Sequence, residues 1–70
     1  MRLDTEEAIG SDAGTVWNAL EDGGKTVRQL KEDTGLTRRE VNLALGWLAR
    51  EGKVVMRKPG SYHKFKRAED

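Results

Sequence analysis

The segment TGLTRREVNLALGWLAREGKV, residues 34–54, holds two arginines and an asparagine close together at Arg38, Arg39 and Asn42. Arginine can donate paired hydrogen bonds to the O6 and N7 of guanine, and asparagine can pair with the N6 and N7 of adenine. At about 100° of helix rotation per residue these three fall on one side, with the Thr37 hydroxyl directly ahead of them. Further along, Arg57, Lys58, Lys64 and Lys66 flank Pro59-Gly60. Cations on a hairpin suit phosphate oxygens, contacts that give salt-dependent affinity without sequence choice. Thr37, Arg38, Arg39, Asn42, Arg57, Lys58, Lys64 and Lys66 are therefore candidates for contact with double-stranded DNA. The plainer reading of the hairpin lysines is protection of an edge strand.

The outer side of the same helix then changes character at Leu43, Gly46 and Trp47. The first two have no side-chain donor for a base edge, and Gly46 costs a helix about 1 kcal/mol relative to alanine. A missing side chain lets another backbone approach, and an indole beside it makes a knob and notch suited to a protein contact. Leu43, Gly46 and Trp47 thus form a candidate surface for a homodimer or another protein partner, the alternative to DNA binding. A competing explanation is that the first helix or the amino-terminal segment covers Trp47, because a short chain needs its aromatic residues for burial.

Nothing comparable supports catalysis. The only histidine is His63, no cluster of His, Asp or Glu has metal-ligand spacing, and no glycine-rich phosphate loop precedes a helix. Glu6-Glu7 and Glu32-Asp33 fall at helix ends, where capping and dipole effects account for them. The expectation is a non-enzymatic chain with neither metal nor cofactor. The absence of cysteine rules out disulfides and thiolate sites, which permits a reducing compartment. No apolar run approaches the roughly 20 residues of a membrane span, and Met1-Arg2-Leu3-Asp4 lacks the apolar core of a signal peptide. A cytoplasmic location is expected.

The elements that would position these residues follow from spacing. Ile9, Ala13, Val16, Trp17 and Leu20 form one helical stripe, ended by Asp22-Gly23-Gly24, with Asp4 and Glu7 spaced as a capping box at its start. Gly10 and Gly14 on this helix predict a close helix contact, or else a kink or a later helix start at Ser11. Lys25-Thr26 supplies a minimal strand. Thr26 with Gln29 caps a second helix that points Val27 and Leu30 inward and stops at Gly35. Thr37 with Glu40 is a second capping box, and Leu36 with Val41 a hydrophobic staple, so a third helix starts at Arg38 and ends near Glu51-Gly52. Its Val41, Ala44, Leu45 and Leu48 share one side and face a core. Residues 53–58 and 61–66 then read as strands about Pro59-Gly60, an order of turn residues that predicts a loop wider than two residues.

The 70 residues predict one domain, with its ordered part at about 6–66, and leave room for only a small core. The net charge of +1 hides a division along the chain. Residues 1–24 set Arg2 against Asp4, Glu6, Glu7, Asp12, Glu21 and Asp22, a net −5, whereas residues 25–67 set twelve Lys or Arg against Glu32, Asp33, Glu40 and Glu51, a net +8. Such asymmetry suits a polyanion partner if the fold gathers the cations on one face, and equally suits ordinary solvated charges if it does not.

An order of helix, short strand, helix, helix and hairpin, mostly α with a small β wing, resembles the winged helix-turn-helix superfamily. Thr34-Gly35-Leu36-Thr37 has the length and glycine of its corner, and Leu36, Val41, Leu45, Leu48, Gly52 and Val54 match its apolar and glycine pattern. More narrowly, Ala13 to Leu20 and Ala44 to Glu51 resemble a family of small stand-alone bacterial and archaeal winged helix proteins of unknown function. The broader resemblance implies a DNA-binding regulator whose third helix enters the major groove and whose wing lies on phosphates.

Overall fold

The computed structural model describes residues 5–58, 60 and 62–68. Helix α1 spans Thr5–Ala19, α2 spans Val27–Thr34 and α3 spans Arg38–Arg50. Strands β1, Val54–Arg57, and β2, Lys64–Arg67, pair antiparallel to form the hairpin. The molecule is mostly α with a small β wing, the architecture of a winged helix. Among the described residues no helix is long and apolar enough to cross a membrane.

Local hydrogen bonds set the boundaries of α2 and α3. The Thr26 hydroxyl accepts from the Gln29 amide at 3.1 Å, and the Gln29 side chain accepts from the Thr26 amide at 2.9 Å. Thr37 and Glu40 repeat the arrangement at α3 with the same two distances, 3.1 and 2.9 Å. Each box satisfies amides that a helix start leaves without internal partners. Gly35 ends α2 at φ 76°, a left-handed conformation that favours glycine, and its amide donates to the Lys31 carbonyl at 2.9 Å. Thr34 ties the corner from both sides: its hydroxyl donates to the Leu30 carbonyl at 2.6 Å and accepts from the Leu36 amide at 3.1 Å.

One core holds the elements together. Ala13, Val16 and Leu20 of α1, Leu30 of α2, and Val41, Ala44, Leu45 and Leu48 of α3 meet there with Val54 of β1. Trp17, Val27, Leu36, Trp47 and Phe65 pack around its rim. Every position of α3 expected to face the core does so, because a capped helix of regular pitch has its faces determined once its start is known.

Other expectations need adjustment. Helix α1 begins at Thr5 and runs through Gly10 and Gly14 without a break at Ser11. Neither glycine marks a close approach: a Cβ added at Gly10 would make ordinary contact with Trp47 Cζ2 at 3.9 Å, and nothing comes within 4 Å at Gly14. Ile9 is only half-buried and Ala8 is buried instead, which shifts the start of the inward stripe by one residue. The capping role expected of Asp4 lies outside the described residues. Lys25-Thr26 contracts to a single bridge, in which the Lys25 amide donates to the Phe65 carbonyl at 2.9 Å and the Phe65 amide to the Lys25 carbonyl at 2.8 Å.

Strand β2 starts at Lys64, so Tyr62 and His63 belong to the loop and not to the strand. Pro59 and Ser61, expected at the turn and at the head of that strand, lie outside the described residues. The shift has a long-range cause: Phe65 pairs with Met56 on one side and with Lys25 on the other, and packs on the core. Alternation in sequence cannot choose a register that a distant strand and a core contact decide. The connection between the strands, 58–63, is wider than two residues, as the Pro-Gly order predicts.

Candidate nucleic-acid interface

The start of α3 presents Arg38, Arg39 and, one turn on, Asn42 to solvent. Their direction follows from the opposite side of the helix, where Val41, Ala44, Leu45 and Leu48 are buried and prevent rotation about its axis. Thr37 is exposed and its oxygen is engaged in the cap. A hydroxyl that accepts a hydrogen bond still has its own proton to give, which is the chemistry a phosphate oxygen takes. The positive end of the α3 dipole has the same sign as the arginines beside it. Arg50, in the last turn, is exposed as well.

In the wing the observed register pairs Arg57 with Lys64 and Val55 with Lys66. Directly opposed residues of an antiparallel pair share a face, so Arg57, Lys64 and Lys66 lie on one face and Val54, Met56, Phe65 and Arg67 on the other. The second face turns inward where Val54 is buried and Phe65 packs on the core, while Met56 on the same face stays exposed. Arg57 and Lys58 are exposed, while Lys64 and Lys66 are half-buried. Like charges directly opposed across strands repel, and a bound anion would relieve the repulsion. Lys64 extends over Gly24, with its Cβ and Cδ both 3.8 Å from where a Gly24 Cβ would lie. It also lines a shallow cleft with Thr26, Arg28, Gln29, Glu32 and Tyr62.

Arg28, exposed and 3.7 Å from the Glu32 carboxylate one turn on, adds a further cation beside the wing. Its signal was its place in the first turn after the Thr26 cap. Only the Lys25–Phe65 bridge, which draws the start of α2 against the hairpin, makes that place significant. Arg67 moves in the opposite sense. As a basic residue at the wing's end it would be expected to serve phosphates, but its guanidinium carbon lies 3.4 Å from the Trp17 ring centroid. Its Nε also donates to the Trp17 carbonyl at 3.0 Å. Arg67 therefore clasps the hairpin to α1 through cation–π and hydrogen-bond contact.

The structure separates Leu43, Gly46 and Trp47. Leu43 is 48% exposed, and nothing lies within 4 Å of the position a Gly46 Cβ would take. Trp47 is half-buried on the rim of the core, with one edge against Gly10 of α1. The knob is thus partly seated within its own chain, while the notch beside it is open. Among the described residues no group of three His, Cys, Asp or Glu side chains is arranged to hold a metal ion.

Comparisons agree with this architecture. The chain is 38% identical over 53 residues to the uncharacterized protein MJ1608 of Methanocaldococcus jannaschii, covering 71% of this chain and 76% of that protein. The solution structure of protein BT2368 from Bacteroides thetaiotaomicron superimposes with a TM-score of 0.84 at 31% identity, over 90% of this chain and 78% of that one. The transcriptional repressor BigR from Xylella fastidiosa superimposes with a TM-score of 0.72 over 91% of this chain and 70% of that one. At 17% identity, the last likeness is one of fold. The family model for a winged helix-turn-helix domain, DUF2582, matches residues 3–67, and the chain belongs to that family.

Proposed function

We propose that this protein binds duplex DNA as a small transcriptional regulator, with the first turn of α3 in the major groove and the wing on the adjacent phosphates. The observation that carries the reading is the exposed trio Arg38, Arg39 and Asn42 at the capped start of α3. In their roles, Arg38, Arg39 and Asn42 touch base edges or backbone, Thr37 meets a phosphate, and Arg57, Lys58, Lys64 and Lys66 hold the flanking strand. Arg28 extends that phosphate track. The fold likeness to a transcriptional repressor supports the reading. The role is one of binding and requires no catalytic group.

A single recognition helix reads one half-site, so a two-fold DNA site would take two copies of the chain. Anisotropy titration of mixed-sequence duplex at rising salt tests the proposal. Four phosphate contacts from the wing and one from Arg28 predict that log K falls with log salt at a slope of about −4 to −5. Absence of binding at low salt removes the proposal.

The second reading, self-association or protein binding through Leu43, Gly46 and Trp47, is favoured by the open notch at Gly46. Light scattering of wild type beside Trp47→Ala tests it. A mass that is monomeric in both leaves self-association unsupported.

A further inference from the structure

We infer that Leu43 is a specificity element of the proposed DNA interface, an apolar contact for the C5-methyl group of thymine; the inference rests on the reading of α3 as the helix that enters the major groove. Leu43, Met56 and Tyr62 are the large hydrophobic side chains left exposed among the described residues. Of these, Leu43 alone is on α3, and it follows directly on Asn42. It stands one turn beyond Arg39 and one turn before Gly46, on the side opposite the buried stripe of Val41, Ala44, Leu45 and Leu48. One flank lines a cleft with Ala8, Ile9 and Asp12 of α1 and with Arg39 and Glu40 of α3, while 48% of the residue remains exposed.

The surroundings of this leucine decide the kind of partner. Arg39, Asn42 and Arg50 share its side of the helix and are exposed. A stable protein interface takes on the order of 800 Å² per partner around an apolar centre that is poor in charge. A single leucine among charged and polar side chains of both signs, with Trp47 turned against α1, offers neither. The major groove of an A·T pair offers the complementary pattern: a polyanionic rim, adenine N6 and N7 for an asparagine, and one isolated methyl group on thymine. Leu43 beside Asn42 therefore favours steps that contain A·T pairs. Gly46 assists by withholding the side chain that would keep the groove at a distance.

The test compares wild type and Leu43→Ala on two duplexes by anisotropy at low salt. One is an alternating dA·dT duplex, and the other has deoxyuridine in place of every thymidine, which deletes only the methyl groups. Wild type should bind the thymidine duplex about fourfold more tightly, the value of one buried methyl. Leu43→Ala should bind the two alike. Comparing the proteins cancels any effect of uracil on duplex shape, and thermal melting confirms that the exposed substitution leaves the fold intact. Equal wild-type binding to both duplexes overturns the assignment, as does a thymine preference that survives in Leu43→Ala. Failure of wild type to bind either duplex overturns the DNA reading beneath it. A fall in solution mass on Leu43→Ala, with thymine preference unchanged, assigns the residue to a protein contact and overturns the inference.

Discussion

Helix α3 and the hairpin carry the two halves of the candidate interface, and they are built by different kinds of constraint. The exposed side of α3 follows from contacts within a turn of the chain: the Thr37–Glu40 box fixes its start, and helical pitch does the rest. The exposed face of the hairpin follows from pairings far apart in sequence, Phe65 with Lys25 and Arg67 with Trp17. A residue on α3 can thus be assigned a direction from its neighbours. A residue on the wing acquires one only when α1 and the start of α2 are in place.

The largest expected effect separates the two sides of α3 itself. Leu48 is 3% exposed and packs in the core. Leu48→Ala should destabilise the protein by about 2–5 kcal/mol, combining lost burial with a cavity. Leu43→Ala, on the opposite side, should stay within about 0.5 kcal/mol of wild type. Urea unfolding followed by far-UV circular dichroism measures both. Similar losses in the two variants would mean that the helix faces are misassigned.

That contrast also explains what could be read from the sequence. Both Thr capping boxes, the left-handed Gly35, and the stripe Val41, Ala44, Leu45, Leu48 are local patterns, and each appears where its spacing places it. The exposure of Arg38, Arg39 and Asn42 follows from them. The start of β2, the half-burial of Trp47 against Gly10 and the clasp of Arg67 on Trp17 depend on partners between 37 and 50 positions away. No short-range signal records such partners, so basic composition alone does not distinguish Arg67, whose guanidinium stacks on Trp17, from the outward cations of the wing. The place of Arg28 is hidden in the sequence for the same reason, because only the Lys25–Phe65 bridge brings α2 beside Lys64.

Arg67→Ala tests that long-range control directly. It removes the cation–π contact and the hydrogen bond to Trp17, and should cost about 1–2 kcal/mol in urea unfolding, discounted for partial exposure. Tryptophan fluorescence should change with it, since one indole loses a cation stacked on its face. Unchanged stability and emission would mean that the hairpin is held by Phe65 and Val54 alone. The matching local test on α3 is Thr37→Ala, which deletes the oxygen that accepts the Glu40 amide. Its expected loss is about 1 kcal/mol, and Thr37→Ser should restore most of it because the serine hydroxyl makes the same bond. A loss in Thr37→Ser equal to that in Thr37→Ala would deny the cap its part in setting the start of α3.

The smallest effect on stability is expected at Arg57, and it sharpens the comparison most. Arg57 is exposed and directly opposite Lys64, so its removal relieves a like-charge pair and disturbs no packing. Arg57→Ala should leave stability unchanged or raise it by about 0.2–0.5 kcal/mol. The same substitution should weaken DNA binding on all sequences alike and make the salt slope shallower by about 1, the signature of one lost phosphate contact. Arg67→Ala should do the reverse, losing stability while leaving the salt slope nearly intact. A salt slope that falls with Arg67→Ala and not with Arg57→Ala would place the inward and outward faces of the wing the other way round. The clasp on Trp17 would then lie on the DNA-binding side of the molecule.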